Sequence, residues 1–233
     1  MSIAPEHRRI PRYPIQLPLL HRPEDPPALS VGVGWSRDLS EGGACVELTE
    51  RLPPQRPLWM RLQTDGGAIE AAAQVVWTED PAPPETGIRH GVVFTRITPD
   101  QLQALRNLLH RKAEREDARF RVPLEVAVTC HARGEQGLPI RGRTADLSWG
   151  GLLLHLPGGF APGTALRITL HAPGGPLQED GVVVWAESTQ ARPQGVPCRY
   201  GFRFTTLGWA TTLALGLLVK ELLESPQLSA PGS

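Results

Sequence analysis

With 24 Lys+Arg balancing 24 Asp+Glu over 233 residues, the chain has a formal net charge of 0, which leaves no broad basic field to hold a long nucleic acid by its phosphates. Gly and Pro, 24 of each, make up roughly a fifth of the chain, below the range of about 25–30% that marks disordered composition, and the length suits two domains of ordinary size. Three scattered cysteines, Cys45, Cys130 and Cys198, show no CxxC spacing, which argues against a disulfide framework or a metal site and fits a reducing cytoplasm.

The N-terminus, MSIAPEHRRI, lacks the apolar core of a signal peptide. Residues 1–13 are poor in apolar side chains and hold His7, Arg8, Arg9 and Arg12 together, so they read as a mobile arm. Strand-like alternation begins at Ile15-Gln16-Leu17, and the proline-rich stretch 21–27 reads as a loop. A second strand over 30–37 runs into Asp38-Leu39-Ser40-Glu41-Gly42-Gly43. Further strands are predicted over 44–48, 58–63, 68–78 and 91–97. Six short antiparallel strands have two edges to hide, and closure into a barrel removes them. A helix follows, with Thr98 as its cap, Pro99 in its first position and Gln101 placed to complete a capping box. It runs to about Ala113, with Leu102, Leu105 and Leu109 on one face.

The order then repeats. Strands are predicted over 123–129, 140–146, 152–156, 165–171, 181–186 and 200–206, and a closing helix over 209–224 buries Leu213, Leu217 and Leu218, with a frayed tail after it. The most apolar run, 209–219, falls well short of the roughly 20 residues a membrane-spanning helix needs, so no membrane insertion is expected. Arg8 and Arg12 recur at Arg115 and Arg119, Asp38 at Asp146, Val76-Trp77 at Val184-Trp185, and Gly91 at Gly201. A nearly constant offset of about 108 residues over independent landmarks means a duplicated domain, 1–113 and 114–233.

The repeated landmarks include one polar stretch, Asp38-Leu39-Ser40-Glu41-Gly42-Gly43 and Asp146-Leu147-Ser148-Trp149-Gly150-Gly151. An Asp and a Ser on alternate strand residues share a face, and paired glycines permit a sharp turn and close backbone approach. Two arginines four apart followed by DxSxxG, twice and in the same order, resemble the PilZ family, whose members bind the bacterial second messenger cyclic diguanylate (c-di-GMP). The resemblance implies a mainly β fold of two tandem six-stranded antiparallel β-barrels, each followed by a C-terminal helix. It implies a first ligand site at Arg8, Arg12, Asp38, Ser40 and Gly43, with Arg9 as an extra contact, and a second at Arg115, Arg119, Asp146, Ser148 and Gly151. Arg9 corresponds to Glu116, so its role is not shared. No metal or cofactor beyond the ligand is implied. The implied role is an effector that orders its arms on binding and relays the change to a protein partner.

The chemistry suits that ligand. Arginine's planar fork matches both phosphate and the O6/N7 edge of guanine, and a carboxylate accepts from guanine N1–H and its amino group. Trp77 and Trp185 read either as bases' stacking partners or as core, and Trp149 as a site wall or partner contact. The second arm sets Glu114, Glu116 and Asp117 among its arginines, so the second site is expected to bind a dianion more weakly unless Arg121 compensates. The competing reading is a two-barrel interaction scaffold without nucleotide. An enzyme is disfavoured, since the seven His are dispersed and no HExxH, GxSxG or Walker sequence is present. An aromatic content of 6% argues against a groove for single strands.

Overall fold

Alternation of apolar side chains closes each half of the chain on itself. The computed structural model describes residues 10–24, 31–79, 87–114, 121–133, 138–188, 196–205 and 208–224, and the chain separates into two compact units, Met1–Val122 and Pro123–Ser233. In the first, strands β1 (Pro18–Pro23), β2 (Gly32–Ser40), β3 (Gly43–Leu48), β4 (Pro57–Thr64), β5 (Gly67–Glu79) and β6 (Ile88–Arg96) form a closed barrel in the order β1-β2-β3-β6-β5-β4. Period-2 alternation places Leu58, Met60 and Leu62 of β4 inside with Val33, Trp35, Val46 and Val92. Helix α1 (Pro99–Glu114) packs on β5 through Leu105, Leu108 and Leu109.

The second unit repeats the plan. After the short β7 (Val122–Pro123) come β8 (Ala127–Ala132), β9 (Ile140–Ser148), β10 (Gly151–Leu156), β11 (Ala165–Ala172), β12 (Gly175–Ala186) and β13 (Cys198–Phe204). Their order is β10-β13-β12-β11-β8-β9, closed by pairing of β9 with β10, and α2 (Trp209–Glu224) packs on β12. Two closed six-stranded antiparallel barrels, each followed by a helix, are the fold the motifs imply.

Several local expectations are corrected. The polar residues His21 and Arg22 continue β1 instead of opening a loop, because His21 points inward across from Gly32, where a Cβ would lie 2.3 Å from its Nε2. Strands β2 and β9 run on through the motif to Ser40 and Ser148, and β12 starts earlier than the apolar pattern suggests. Gln101 does not complete a capping box; its Oε1 accepts from Glu70 N at 2.9 Å, so it ties α1 to β5. Leu108 joins the buried face of α1, where Leu102 is only half-buried. In α2 the buried stripe is Leu215, Leu218 and Val219, and Leu217 faces outward. No helix among the described residues is long and apolar enough to cross a membrane.

His21 carries a consequence for stability. It is 0% exposed, neither ring nitrogen has a hydrogen-bond partner among the described residues, and Glu50 Oε1 lies 3.7 Å from Nδ1. Burial, and secondly the neighbouring His90, pulls its pKa down to about 4. The unfolded imidazole, at about 6.5, binds a proton more readily, so the folded state loses stability as pH falls from about 6.5 to about 4 and keeps it in full above that window. The shift corresponds to about 3 kcal/mol. Urea denaturation followed across this range should show the first barrel weakening, and His21→Leu should flatten the decline; an unchanged slope in the variant would contradict the assignment.

Candidate functional site

Each barrel grips the segment that leads into it with one buried hydroxyl. Ser36 Oγ on β2 donates to Ile15 O at 2.7 Å and accepts from Leu17 N at 2.9 Å, while Ser36 N donates to Leu17 O. Thr144 repeats this on β9, donating to Leu124 O at 2.5 Å and accepting from Val126 N at 2.9 Å. Beyond the grip, Tyr13 pairs with Leu39 through N–H···O bonds of 2.8 and 2.9 Å. Arg12 is thereby delivered to the motif: its Nη1 lies 2.8 Å from Asp38 Oδ1, with the two side chains 29% and 33% exposed.

A register shift between Ser36 and Asp38 in the β2–β3 ladder makes this possible. The second barrel has the matching irregularity between Leu153 and Leu154, opposite Asp146 and Thr144. A bulge re-aims side chains that a regular strand would place on one face. Ser36 turns to the entering chain, and Asp38 to Arg12.

The remaining motif residues build the turn. Ser40 Oγ donates to Gly43 O at 3.1 Å and Ser148 Oγ to Gly151 O at 3.2 Å, which closes each hairpin. A Cβ on Gly43 would lie 2.1 Å from Val92 O, and one on Gly151 1.9 Å from Phe202 O, so these glycines admit the neighbouring strand's backbone. Glu41, inside the first turn, pairs with Arg106 of α1 at 2.9 Å, and half-buried Trp149 stands in its place in the second.

On each barrel a row of paired residues crosses four strands from the carboxylate to an indole. Asp38 is opposite Cys45, Cys45 opposite Gly91, and Gly91 opposite Trp77. The second row is Asp146, Leu153, Gly201 and Trp185. Each indole lies over the glycine, where a Cβ would meet Nε1 at 2.0 Å on Gly91 and 2.1 Å on Gly201. The two tryptophans are 40% and 38% exposed, so the core reading of these residues is replaced by a surface one. Three strand spacings make each row about 14 Å long. Cys45 is a buried member of the first row, and burial, then Asp38, pushes its thiol up to about 11, so it stays protonated and unreactive.

The structure therefore brings Arg12, Asp38, Ser40 and Gly43 to one end of the first barrel, and Asp146, Ser148 and Gly151 to the matching end of the second. Arg8, Arg9, Arg115 and Arg119 lie outside the described residues. Sequence reasoning passed over Ser36 and Thr144; a hydroxyl two positions before each motif aspartate is the signal that would have found them. Among the described residues, no group of three or more His, Cys, Asp or Glu is placed to hold a metal ion.

A family model of the PilZ domain matches residues 6–111 and again 109–212. The chain belongs to the PilZ family. Each PilZ segment spans an arginine pair, its DxSxxG turn and the last strand of the barrel that follows. Among solved structures, the tandem PilZ chain is similar to the Bacillus subtilis inhibitor of motility MotI/DgrA, with 12% identity over 91% of this chain and 99% of that one and a TM-score of 0.36. It is similar to YcgR from Escherichia coli in complex with c-di-GMP, with 14% identity over 89% and 84% of the chains and a TM-score of 0.37. The K. pneumonia MrkH–c-di-GMP complex gives 14% identity over 91% and 89%, with a TM-score of 0.35. No curated protein matches the chain.

Proposed function

We propose that this tandem PilZ protein is a c-di-GMP receptor that binds the dinucleotide on the outer face of each barrel and relays binding to a protein partner. The observation that carries the reading is the Arg12–Asp38 contact, which sets a guanidinium of the arm beside the motif carboxylate where both are accessible. An arginine fork supplies paired donors to a phosphate or to a guanine O6/N7 edge, and the aspartate supplies acceptors for guanine N1–H and its amino group. The row from Asp38 to Trp77 offers a shallow floor at Cys45, between the carboxylate and the indole that covers Gly91, and a base can stack against that indole. In the second domain Asp146 and Trp185 end the same row, with Arg115 and Arg119 in the roles of Arg8 and Arg12.

The relay runs from the turn into the helix. Glu41 lies between Ser40 and the glycines and holds Arg106, while Gln101 and Arg111 fasten the same helix to β5 and to Asp65. Ligand drawn against the turn changes the setting of α1, and the partner reads it. Hydrogen exchange on the full chain tests both steps. c-di-GMP, and not GMP, should slow exchange over 38–43 and in α1, and Arg106→Ala should keep the first effect and lose the second. No c-di-GMP-specific change anywhere would favour a nucleotide-free scaffold.

A further inference from the structure

Strands β9 and β13 of the second barrel are entered through the same pattern, Leu138-Pro139-Ile140-Arg141 and Val196-Pro197-Cys198-Arg199. In each an aliphatic residue, a proline, an apolar strand residue and an arginine follow one another. Leu138 is 93% exposed and Val196 44%, Cys198 is buried, and both arginines are exposed. Proline holds the residue before it extended, which keeps each aliphatic side chain out at a tip. The two strands flank β10, one on either side, so their starts are separated by two strand spacings, about 10 Å. Neighbouring strands are all antiparallel, so both tips belong to one end of the barrel, and the motif turn between β9 and β10 belongs to the other.

Arginines rim this end. Arg143 is opposite His155 and His155 opposite Arg199, with Arg141 one row, about 7 Å, nearer the tip. Glu125 offsets Arg143 at 3.0 Å, and Asp180 offsets Arg133 at 2.6 Å. The side chains of Arg141 and Arg199 form no ion pair among the described residues; Glu187 Oε2 accepts from the backbone N of Arg199, at 3.1 Å, and not from its guanidinium. The first barrel is built differently. Trp35, opposite Glu47 and through it Arg89, holds the place of Arg143 and is 1% exposed, and Val33, in the place of Arg141, is 3% exposed. The barrel plan itself therefore does not require a basic rim here.

We propose that this end of the second barrel docks on an anionic lipid surface, with Leu138 and Val196 entering the boundary between headgroups and acyl chains and Arg141 and Arg199 lying among the phosphates. Shallow apolar insertion combined with attraction to anionic headgroups is how a protein rests on a bilayer without spanning it. Lipid fits these tips better than an acidic protein does. The two aliphatic side chains project singly from separate tips, and a protein partner would need a matched pocket for each, whereas lipid closes around any apolar tip. Nucleic acid offers phosphates to the arginines and no apolar medium to the aliphatic pair. Docked in this way, the barrel keeps its motif turn at the end away from the bilayer. The inference stands apart from the c-di-GMP reading, since it uses neither motif.

The test is co-sedimentation of the full chain, without c-di-GMP, with vesicles of phosphatidylcholine and phosphatidylglycerol at roughly 2:1, and with vesicles of phosphatidylcholine alone. The chain should sediment with the mixed vesicles and not with the neutral ones, and high salt should release it. Arg141→Ala and Arg199→Ala should each weaken binding by about fivefold. Leu138→Ser should weaken it by about tenfold, the effect of withdrawing one leucine side chain from an apolar medium. All three residues are exposed, so the variants should fold as the wild type does. Arg203→Ala is the control: this exposed arginine lies on the same strand as Arg199 but opposite Gly151 of the motif turn, and its loss should leave vesicle binding unchanged. No binding to mixed vesicles overturns the proposal, as does binding that Arg203→Ala weakens as much as Arg141→Ala and Arg199→Ala. Binding untouched by Leu138→Ser also overturns it, for the chain would then adsorb by charge alone. A chain that ignores vesicles but binds poly-glutamate or duplex DNA would assign the rim to a protein or nucleic-acid partner instead.

Discussion

Arg12→Ala should weaken c-di-GMP binding in the first domain by between about tenfold and a hundredfold, because charge-assisted hydrogen bonds contribute about 1.5–3 kcal/mol each. The same substitution should leave the melting temperature nearly unchanged. Arg12 and Asp38 are about a third exposed, and ion pairs of that kind contribute about 0–1 kcal/mol to folding. Arm and barrel stay joined without the pair, because the Ser36 hydroxyl and the Tyr13–Leu39 bridge hold the entering chain. Affinity and stability thus separate at this residue, and calorimetry together with thermal unfolding of the variant reads both. A variant that melts early and binds normally would make the pair a structural contact.

The opposite separation is expected at the second glycine of the turn. Gly43→Ala would drive a Cβ to 2.1 Å from Val92 O, an atom of the backbone in the neighbouring strand, and Gly151→Ala would bring one to 1.9 Å from Phe202 O. Relief requires prising β3 from β6, or β10 from β13, along ladders that close the barrels. The expected cost is above about 4 kcal/mol, enough to unfold the affected barrel. The preceding glycine provides the control. Among the described residues, a Cβ on Gly42 meets only the end of Ile10, Cδ1 at 3.3 Å, and one on Gly150 meets nothing within 4 Å. Gly42→Ala and Gly150→Ala should fold. Circular dichroism with urea titration of the four variants would show the contrast, and equal behaviour of neighbouring glycines would refute it.

The duplication, the barrel and the motif turn were legible because each leaves a local mark. Apolar alternation writes the strands, and a constant offset between Asp38 and Asp146, or Trp77 and Trp185, writes the repeat. What the sequence hid depends on residues meeting across the fold. His21 looks like a loop residue until Gly32 is found opposite it, and Gln101 looks like a capping residue until Glu70 N is found within its reach. The indoles of Trp77 and Trp185 read as core by type, and only the facing glycines reveal that they lie on the outside. Ser36 and Thr144 are ordinary strand residues in the sequence, and their role appears only with the bulge that separates them from the motif aspartates. Of the candidate ligand residues, the contact between arm and motif is displayed by Arg12 and Asp38, whereas Arg8, Arg9, Arg115 and Arg119 fall outside the described residues.

The proposed c-di-GMP sites lie between the arginine arm and the motif aspartate of each PilZ domain. Calorimetric titration of the full chain with c-di-GMP, repeated with Arg12→Ala, with Arg119→Ala and with both, tests this placement most directly. Two classes of saturable site are predicted, the weaker in the second domain, where Glu114, Glu116 and Asp117 stand among the arginines in the sequence; each single variant should weaken one class by about tenfold to a hundredfold, and the double variant both. A folded wild-type chain that takes up no c-di-GMP, or a double variant that binds as well as the wild type, would rule these sites out.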